Sequence, residues 1–208
     1  MKVLLINGSP HKNGCTYTAL CEAEKVLREA NITTEICQLG TVPIRGCTAC
    51  GACVKLGRCA FGEEDGVNEL LQKLPGADGF IFGSPVHYAA AGGSITSLLD
   101  RLFYAGGKYL SQKPGAAVVS CRRGGASAAL DQLNKYFMFN QMPVASGNYW
   151  NMVHGNTPAE VLQDEEGLQT VRVMAKNMAW LLRCIEAGKK AGVTPPVGEA
   201  KIKTNFIR

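Results

Sequence analysis

Four cysteines, Cys47, Cys50, Cys53 and Cys59, fall within thirteen residues of a 208-residue chain. The opening run MKVLLI is cut off by Asn7 and Gly8, too short for a signal-peptide core. A cytoplasmic protein is therefore expected, and in a reducing compartment clustered thiols point to metal or redox chemistry rather than a disulfide framework. In the C-x2-C-x2-C-x5-C spacing, three closely set thiolates reach different iron corners of one cubane, and Cys59 closes the set after a turn containing Gly57. Four thiolates also suit tetrahedral zinc, although zinc ligands more often come as two separated C-x2-C knuckles. Free or redox-active thiols are the third reading. The scattered Cys15, Cys21, Cys37, Cys121 and Cys184 read as small buried hydrophobes, with Cys15 set apart by its loop.

Three loops carry the remaining chemistry. In GSPHKNGCT, Ser9 and Thr16 offer hydroxyls and His11 a ring N–H. The backbone N–H groups near Cys15–Tyr17 open a helix, a natural place for an anion; an Asx or Ser turn capping that helix is the plainer alternative. In SPVHYAAAGG, Pro85 stiffens the chain and Val86, His87 and Tyr88 offer flat surfaces and polar tips. The small residues after Tyr88 let a ring approach closely, although Tyr88 alone fits a surface aromatic equally well. In SCRRGG, Ser120, Gly124 and Gly125 expose main chain beside Arg122 and Arg123, which suit an anionic ring or phosphate, or simply water. A Walker A lysine pair, GxGxxG, HExxH and G-x-S-x-G are all absent, and the three histidines lie far apart. No acid–base constellation is offered.

The elements that position these loops alternate. Apolar or β-rich runs at 2–7, 32–39, 79–83, 116–121 and 142–145 read as strands. Helical spacing marks 16–29, 66–74, 94–104 (stopped by Gly106–Gly107) and 126–139. Asp164 caps a long helix with Leu168, Val171, Ala175, Met178, Leu182 and Ile185 on one face. Between them, 146–163 reads as a polar loop in which Pro158 discourages regularity. The expected organisation is one α/β domain over 1–190, with a cysteine-rich insert at about 40–62 and an irregular basic tail at 191–208. Strand–helix units in series build a parallel sheet covered on both faces. Ligands bind outside its carboxyl edge, where all three loops emerge.

Composition narrows the field. With 46% hydrophobic and 19% charged residues, the chain can bury a core, which excludes disorder. No continuous apolar window of about 18 residues exists, so no membrane span is expected. The net charge of +5 is concentrated in Lys189, Lys190, Lys201, Lys203 and Arg208. No basic stripe interleaved with aromatics remains, so nucleic acid is not an expected partner.

GSPHKNGCT, SPVHYAAAGGSITSLLDR and SCRRGG resemble the flavin mononucleotide (FMN) site of the flavodoxin-like NADPH-dependent FMN reductase family, over residues 1 to about 190. The resemblance implies a flavodoxin-like three-layer α/β sandwich with a five-stranded parallel sheet of order 2-1-3-4-5. It implies FMN as cofactor and NAD(P)H as co-substrate. Ser9, His11, Cys15 and Thr16 would wrap the phosphate, with His11 where arginine is commoner and Cys15 where asparagine is usual. Pro85, Val86, His87 and Tyr88 would contact the ring and ribityl chain, His87 standing where tyrosine is typical, and Ser120, Arg122, Gly124 and Gly125 would form the third wall. Asp100 and Arg101 match a DR ending read as scaffold. The cysteine pattern resembles the iron–sulfur flavoprotein branch, which implies a [4Fe–4S] cluster on Cys47, Cys50, Cys53 and Cys59. It also implies a homodimer or homotetramer in which the cluster of one subunit approaches FMN in its neighbour, and a ferredoxin-like redox partner. Leu102, Phe103, Tyr104, Met138, Phe139 and Met142, with Trp150 and Met152 in the polar loop, offer apolar surface for an interface or lid. The function implied is an FMN-dependent oxidoreductase moving electrons from NAD(P)H or a redox partner to an acceptor. A flavodoxin-type carrier is the alternative, although such carriers are typically acidic and this chain is basic; a non-enzymatic module binding a regulatory metal or flavin is a third.

Overall fold

The computed structural model describes residues 1–200, Ile202 and Thr204. In chain order the elements are β1 (Lys2–Asn7), α1 (Cys15–Glu29), β2 (Thr33–Gln38), α2 (Ala52–Leu56), α3 (Val67–Lys73), a 3-10 turn (Leu74–Gly76), β3 (Gly79–His87), β4 (Ala90–Ala91), α4 (Gly93–Leu110), β5 (Gly115–Cys121), α5 (Ala126–Phe139), β6 (Met152–His154), α6 (Pro158–Val161) and α7 (Glu165–Lys190). The parallel strands run in the order β2-β1-β3-β5-β6, with β4 pairing antiparallel to β3 alone. Setting β4 aside, this is the flavodoxin-like 2-1-3-4-5 sheet.

The three central strands are apolar because both of their faces are covered. Successive side chains point to opposite layers. Leu4, Ile6, Phe80, Phe82, Ala117 and Val119 meet the layer of α3, α4 and α5. Val3, Leu5, Ile81, Ala116 and Val118 meet α1 and α7. Phe82 stacks on Phe137 with ring centroids 5.1 Å apart and meets Phe103 edge-on at 6.1 Å. Asp164 caps α7 as expected, its carboxylate accepting from Gly167 N–H at 2.9 Å.

Several sequence expectations are corrected. The segment 142–145 is not a strand; it touches the sheet through one bridge, Gly115 to Val144. The chain then swings out and returns as β6, inside the expected polar loop, to pair with the far end of β5. Met152 is therefore buried core, whereas Trp150 stays exposed against Tyr149 at 4.5 Å. Helix α4 runs through Gly106 and Gly107, because a bare Gly106 lets Leu71 and Leu74 pack directly on the helix. Pro158 opens α6 instead of breaking it: at the first helical position its missing N–H costs nothing, and Thr157 Oγ1 caps the turn. The cysteine-rich insert contains α2. Of the scattered cysteines only Cys37 and Cys121 are buried; Cys15 and Cys21 are half-buried and Cys184 is exposed. Leu102 and Met142, expected at an interface, belong to the core. In the expected basic tail, Lys201, Lys203 and residues 205–208 lie outside the described residues. Among the described residues, no helix is long and apolar enough to cross a membrane.

One close approach ties the core to the carboxyl edge of the sheet. A Cβ on Gly83 would fall 2.8 Å from both Leu20 Cδ1 and Thr16 Cγ2. Gly83→Ala is therefore expected to cost about 1–3 kcal/mol through overpacking, measured as a lower midpoint of denaturant unfolding.

Candidate functional site

The first loop is tied to the sheet before it reaches α1. Gly8 N–H donates to Gly83 O at 2.8 Å. Asn7 Oδ1 accepts from Ser9 N–H at 3.1 Å, and Ser9 Oγ accepts from His11 N–H at 3.1 Å. These are the Asx and Ser turns that the plainer reading anticipated, yet neither caps the helix. Helix α1 begins after Gly14 with no side-chain cap, so the N–H groups of its first turn face outward with the positive end of the helix dipole. Buried Thr16 Oγ1 lies 2.7 Å from buried Ser120 Oγ, joining the first loop to the third. His11 is exposed on the turn. Cys15 is half-buried, its Sγ 3.6 Å from Gly155 O, and burial raises its thiol pKa.

The second loop is a tight hairpin. Val86 pairs with Ala91 and His87 with Ala90, leaving Tyr88 and Ala89 as a two-residue turn with φ of +51° and +58°. Positive φ at both central positions defines a type I′ turn, normally the province of Asn and Gly. Ser84 Oγ, which accepts from Gly92 N–H at 2.9 Å, fastens its base. The turn holds His87 and Tyr88 exposed at the sheet edge, while Pro85 and Val86 are half-buried beneath them. Gly125, at φ +89°, comes so close that a Cβ there would lie 2.7 Å from Ala89 Cα. The second and third loops thus touch, with Arg122 and Gly124 exposed beside them. The structure gathers the sequence-predicted loop residues along one edge.

The cysteines form a second centre. Cys47, Cys50, Cys53 and Cys59 line one depression, walled by Arg101 and Tyr104 of α4. Cys47 and Cys50 are exposed; Cys53 on α2 and Cys59 are half-buried. Cys47 Sγ accepts from Ala49 N–H at 3.4 Å. Hydrogen bonding from Ala52 N–H, and then from the Thr48 hydroxyl, lowers the Cys50 pKa. Arg101 Nε donates to Cys59 Sγ at 3.2 Å, and its Nη1 pairs with the Asp65 carboxylate. Burial alone would lower the Arg101 pKa, but the hydrogen bonds to Asp65 and Cys59 outweigh it and the pKa rises. Among the described residues, no three His, Cys, Asp or Glu groups are drawn together as a finished metal site. The donor set is nonetheless all sulfur, and N–H groups aimed at three of the sulfurs suit thiolates that bind a metal centre.

Sequence reasoning missed Asp65 and Asn68 and took Arg101 for scaffold. The available signal was Arg101 itself, an arginine on the apolar stripe formed by Ile95, Leu98 and Leu102, which demands a buried counterion.

A 2-1-3-4-5 parallel sheet, with an uncapped helix start and a ring-presenting hairpin at its carboxyl edge, defines the flavodoxin-like class of FMN-binding proteins. Within that class the chain belongs to the NADPH-dependent FMN reductase family, whose profile matches residues 1–157. It is 32% identical over 194 residues to an iron-sulfur flavoprotein of Methanocaldococcus jannaschii, covering 89% of this chain and 100% of that one. The solved structure of RosB with bound 8-demethyl-8-formylriboflavin-5'-phosphate is similar at a TM-score of 0.68 and 16% identity, over 100% of this chain and 93% of that one. An NAD(P)H:quinone oxidoreductase from Methanothermobacter marburgensis is similar at a TM-score of 0.63 and 15% identity, over 86% and 96%. Both structures share the fold. The chain is an enzyme, an FMN-binding oxidoreductase related to the NAD(P)H-dependent FMN reductases.

The strained hairpin yields a stability test. Ala89→Gly removes a left-handed alanine and is expected to stabilise the fold by about 1 kcal/mol, read as a higher Tm.

Proposed function

We propose that this protein is an iron–sulfur FMN oxidoreductase, passing electrons from NAD(P)H or a ferredoxin-like partner through FMN and a [4Fe–4S] cluster to an acceptor. The observation that carries this reading is that α4 serves both centres. Its first residue, Gly93, follows the hairpin, and its Arg101 and Tyr104 wall the cysteine depression. Eight residues of helix rise separate Gly93 from Arg101, about 12 Å.

FMN, when bound, accepts a hydride from a reduced nicotinamide and releases electrons singly or in pairs. The chain binds and orients it. The first-turn N–H groups of α1, with Ser9, His11, Cys15 and Thr16, hold the phosphate in the positive field of the helix. Pro85, Val86, His87 and Tyr88 pack against the ring and ribityl chain. Ser120, Gly124 and Gly125 bring main chain close on the other side, and Arg122 supplies positive charge. The fit rests on the uncapped start of α1 and the buried Thr16–Ser120 pair.

Cys47, Cys50, Cys53 and Cys59 would hold a [4Fe–4S] cluster, which would supply one-electron transfer. The iron-sulfur flavoprotein name of the Methanocaldococcus jannaschii relative supports this choice over zinc or free thiols. Membership of the FMN reductase family and the basic net charge favour an oxidoreductase over a flavodoxin-type carrier. Residues 1–190 act as one FMN-binding domain with the cysteine insert at about 40–62, and 191–208 as a basic tail. The protein works in the cytoplasm as a homodimer or homotetramer. Exposed Tyr104 lines both the cysteine depression and a groove shared with Phe139, which supports a subunit contact beside the cysteine insert.

Anaerobic purification with iron, sulfide and flavin assays tests this reading. The expected result is one FMN and about four irons per chain, with NAD(P)H consumed when an acceptor is added. Flavin without iron or labile sulfide, even after anaerobic reconstitution, would leave a simple FMN reductase. Thr16→Val keeps the shape but removes the hydroxyl; FMN affinity measured by fluorescence titration is expected to fall about tenfold, the worth of one hydrogen bond.

A further inference from the structure

The DR ending of the second loop's helix carries more than scaffold. Arg101 is 2% exposed in its side chain, and its partner Asp65 is 7% exposed. A guanidinium withdrawn from water costs several kcal/mol unless it is paired and fully hydrogen-bonded. The α4 core around it, Leu98 and Leu102, does not require a charge. What the charge reaches is the cysteine insert. Nη1 donates to Arg45 O at 3.2 Å and pairs with Asp65 Oδ2, Nη2 donates to Asp65 Oδ1 at 3.3 Å, and Nε donates to Cys59 Sγ at 3.2 Å. One side chain therefore grips the insert just before Cys47, at Cys59 and just after it.

Cys59 is also held through its backbone. Its N–H donates to Asn68 Oδ1 and its C=O accepts from Asn68 Nδ2, both at 2.9 Å. Asn68 is buried on α3. A main chain fixed at both its donor and its acceptor leaves the cysteine little beyond rotation about χ1, and Arg101 engages the sulfur itself. Cys47 and Cys50, by contrast, are exposed on the turn.

We propose that Asn68 and Arg101 are positioning residues that make Cys59 the pre-set ligand of the cysteine centre, Asn68 fixing its backbone and Arg101 its sulfur. The assignment rests on the cluster reading above. Arg101 further tunes the centre, because an N–H donor and a positive charge at a ligating sulfur stabilise added electron density. A purely structural Arg101–Asp65 pair would affect folding without altering the metal centre.

The test uses the full chain, purified anaerobically, as wild type, as Arg101→Lys and as the double variant Asp65→Asn/Arg101→Met. The double variant removes both buried charges together, which spares the fold the cost of one left unpaired, and its Asn side chain keeps an acceptor for Val67 N–H. In the variants, flavin per chain is expected to match wild type. Iron release to a chelator is expected to be about tenfold or more faster in the double variant, and the potential of its iron centre is expected to become more negative. Unchanged release and potential in a flavin-replete double variant, with iron present in wild type, would overturn the assignment of Arg101 while leaving the cluster reading intact. Wild type that takes up no iron on reconstitution would overturn the cluster reading and this assignment with it.

Discussion

The cofactor edge of this molecule follows from sheathing β1, β3 and β5 on both faces and pairing them along both edges. Such strands have no room for polar side chains along their length, so polarity collects where they end. In a parallel sheet the carboxyl ends all lie on one side. Asn7, Ser84 and Ser120 are the buried polar residues at those ends, and each fastens a loop or joins two: Asn7 holds Ser9, Ser84 holds Gly92, and Ser120 meets Thr16. The cofactor edge is thus a by-product of how the sheet is buried, refined by a few hydroxyls and by the absence of a cap on α1.

The cysteine centre obeys a different constraint. The insert of 40–62 is largely exposed and has almost no core of its own. Its order comes from outside, through Arg101, Asp65 and Asn68 on or beside the helices it lies against. A buried ion pair is a weak contributor to net stability, and its better-attested role is to specify one arrangement over others. Here the arrangement specified is the path of a loop carrying four thiols.

The legibility of these features in the sequence tracks how local their causes are. The runs KVLLIN, GFIFG and GAAVVSC announce strands because burial on both faces leaves a continuous apolar signature. The long face of α7 is legible for the same reason at a helical period, and all three cofactor loops could be placed because they follow strands directly. Where tertiary contacts decide, the sequence misleads. Gly106 and Gly107 look like a helix stop, but Leu71 and Leu74 fill the space above the first of them. Met142–Ala145 is apolar enough for a strand, yet Met152–His154 supplies most of the ladder beside β5. The Tyr88–Ala89 hairpin carries neither Asn nor Gly, so its turn type had no local signature. Arg101 showed its charge but not its partners, which lie 36, 42 and 56 residues away along the chain.

The divided fifth strand has a consequence for how the protein behaves in a crowd. An open sheet has two edges, and each unpaired edge is a template on which another chain can add a strand. At one edge, Pro143 O and Ala145 N–H bond to Gly115, the chain then departs, and only Met152–His154 returns. The opposite edge, β2, carries Glu35 bridged to Lys2 at 2.6 Å and to Lys73 at 2.9 Å. One border is too short and interrupted to template a partner, and the other bears charge in its middle. The same excursion that hid the strand from a reader of the sequence also blunts the sheet against edge-to-edge aggregation.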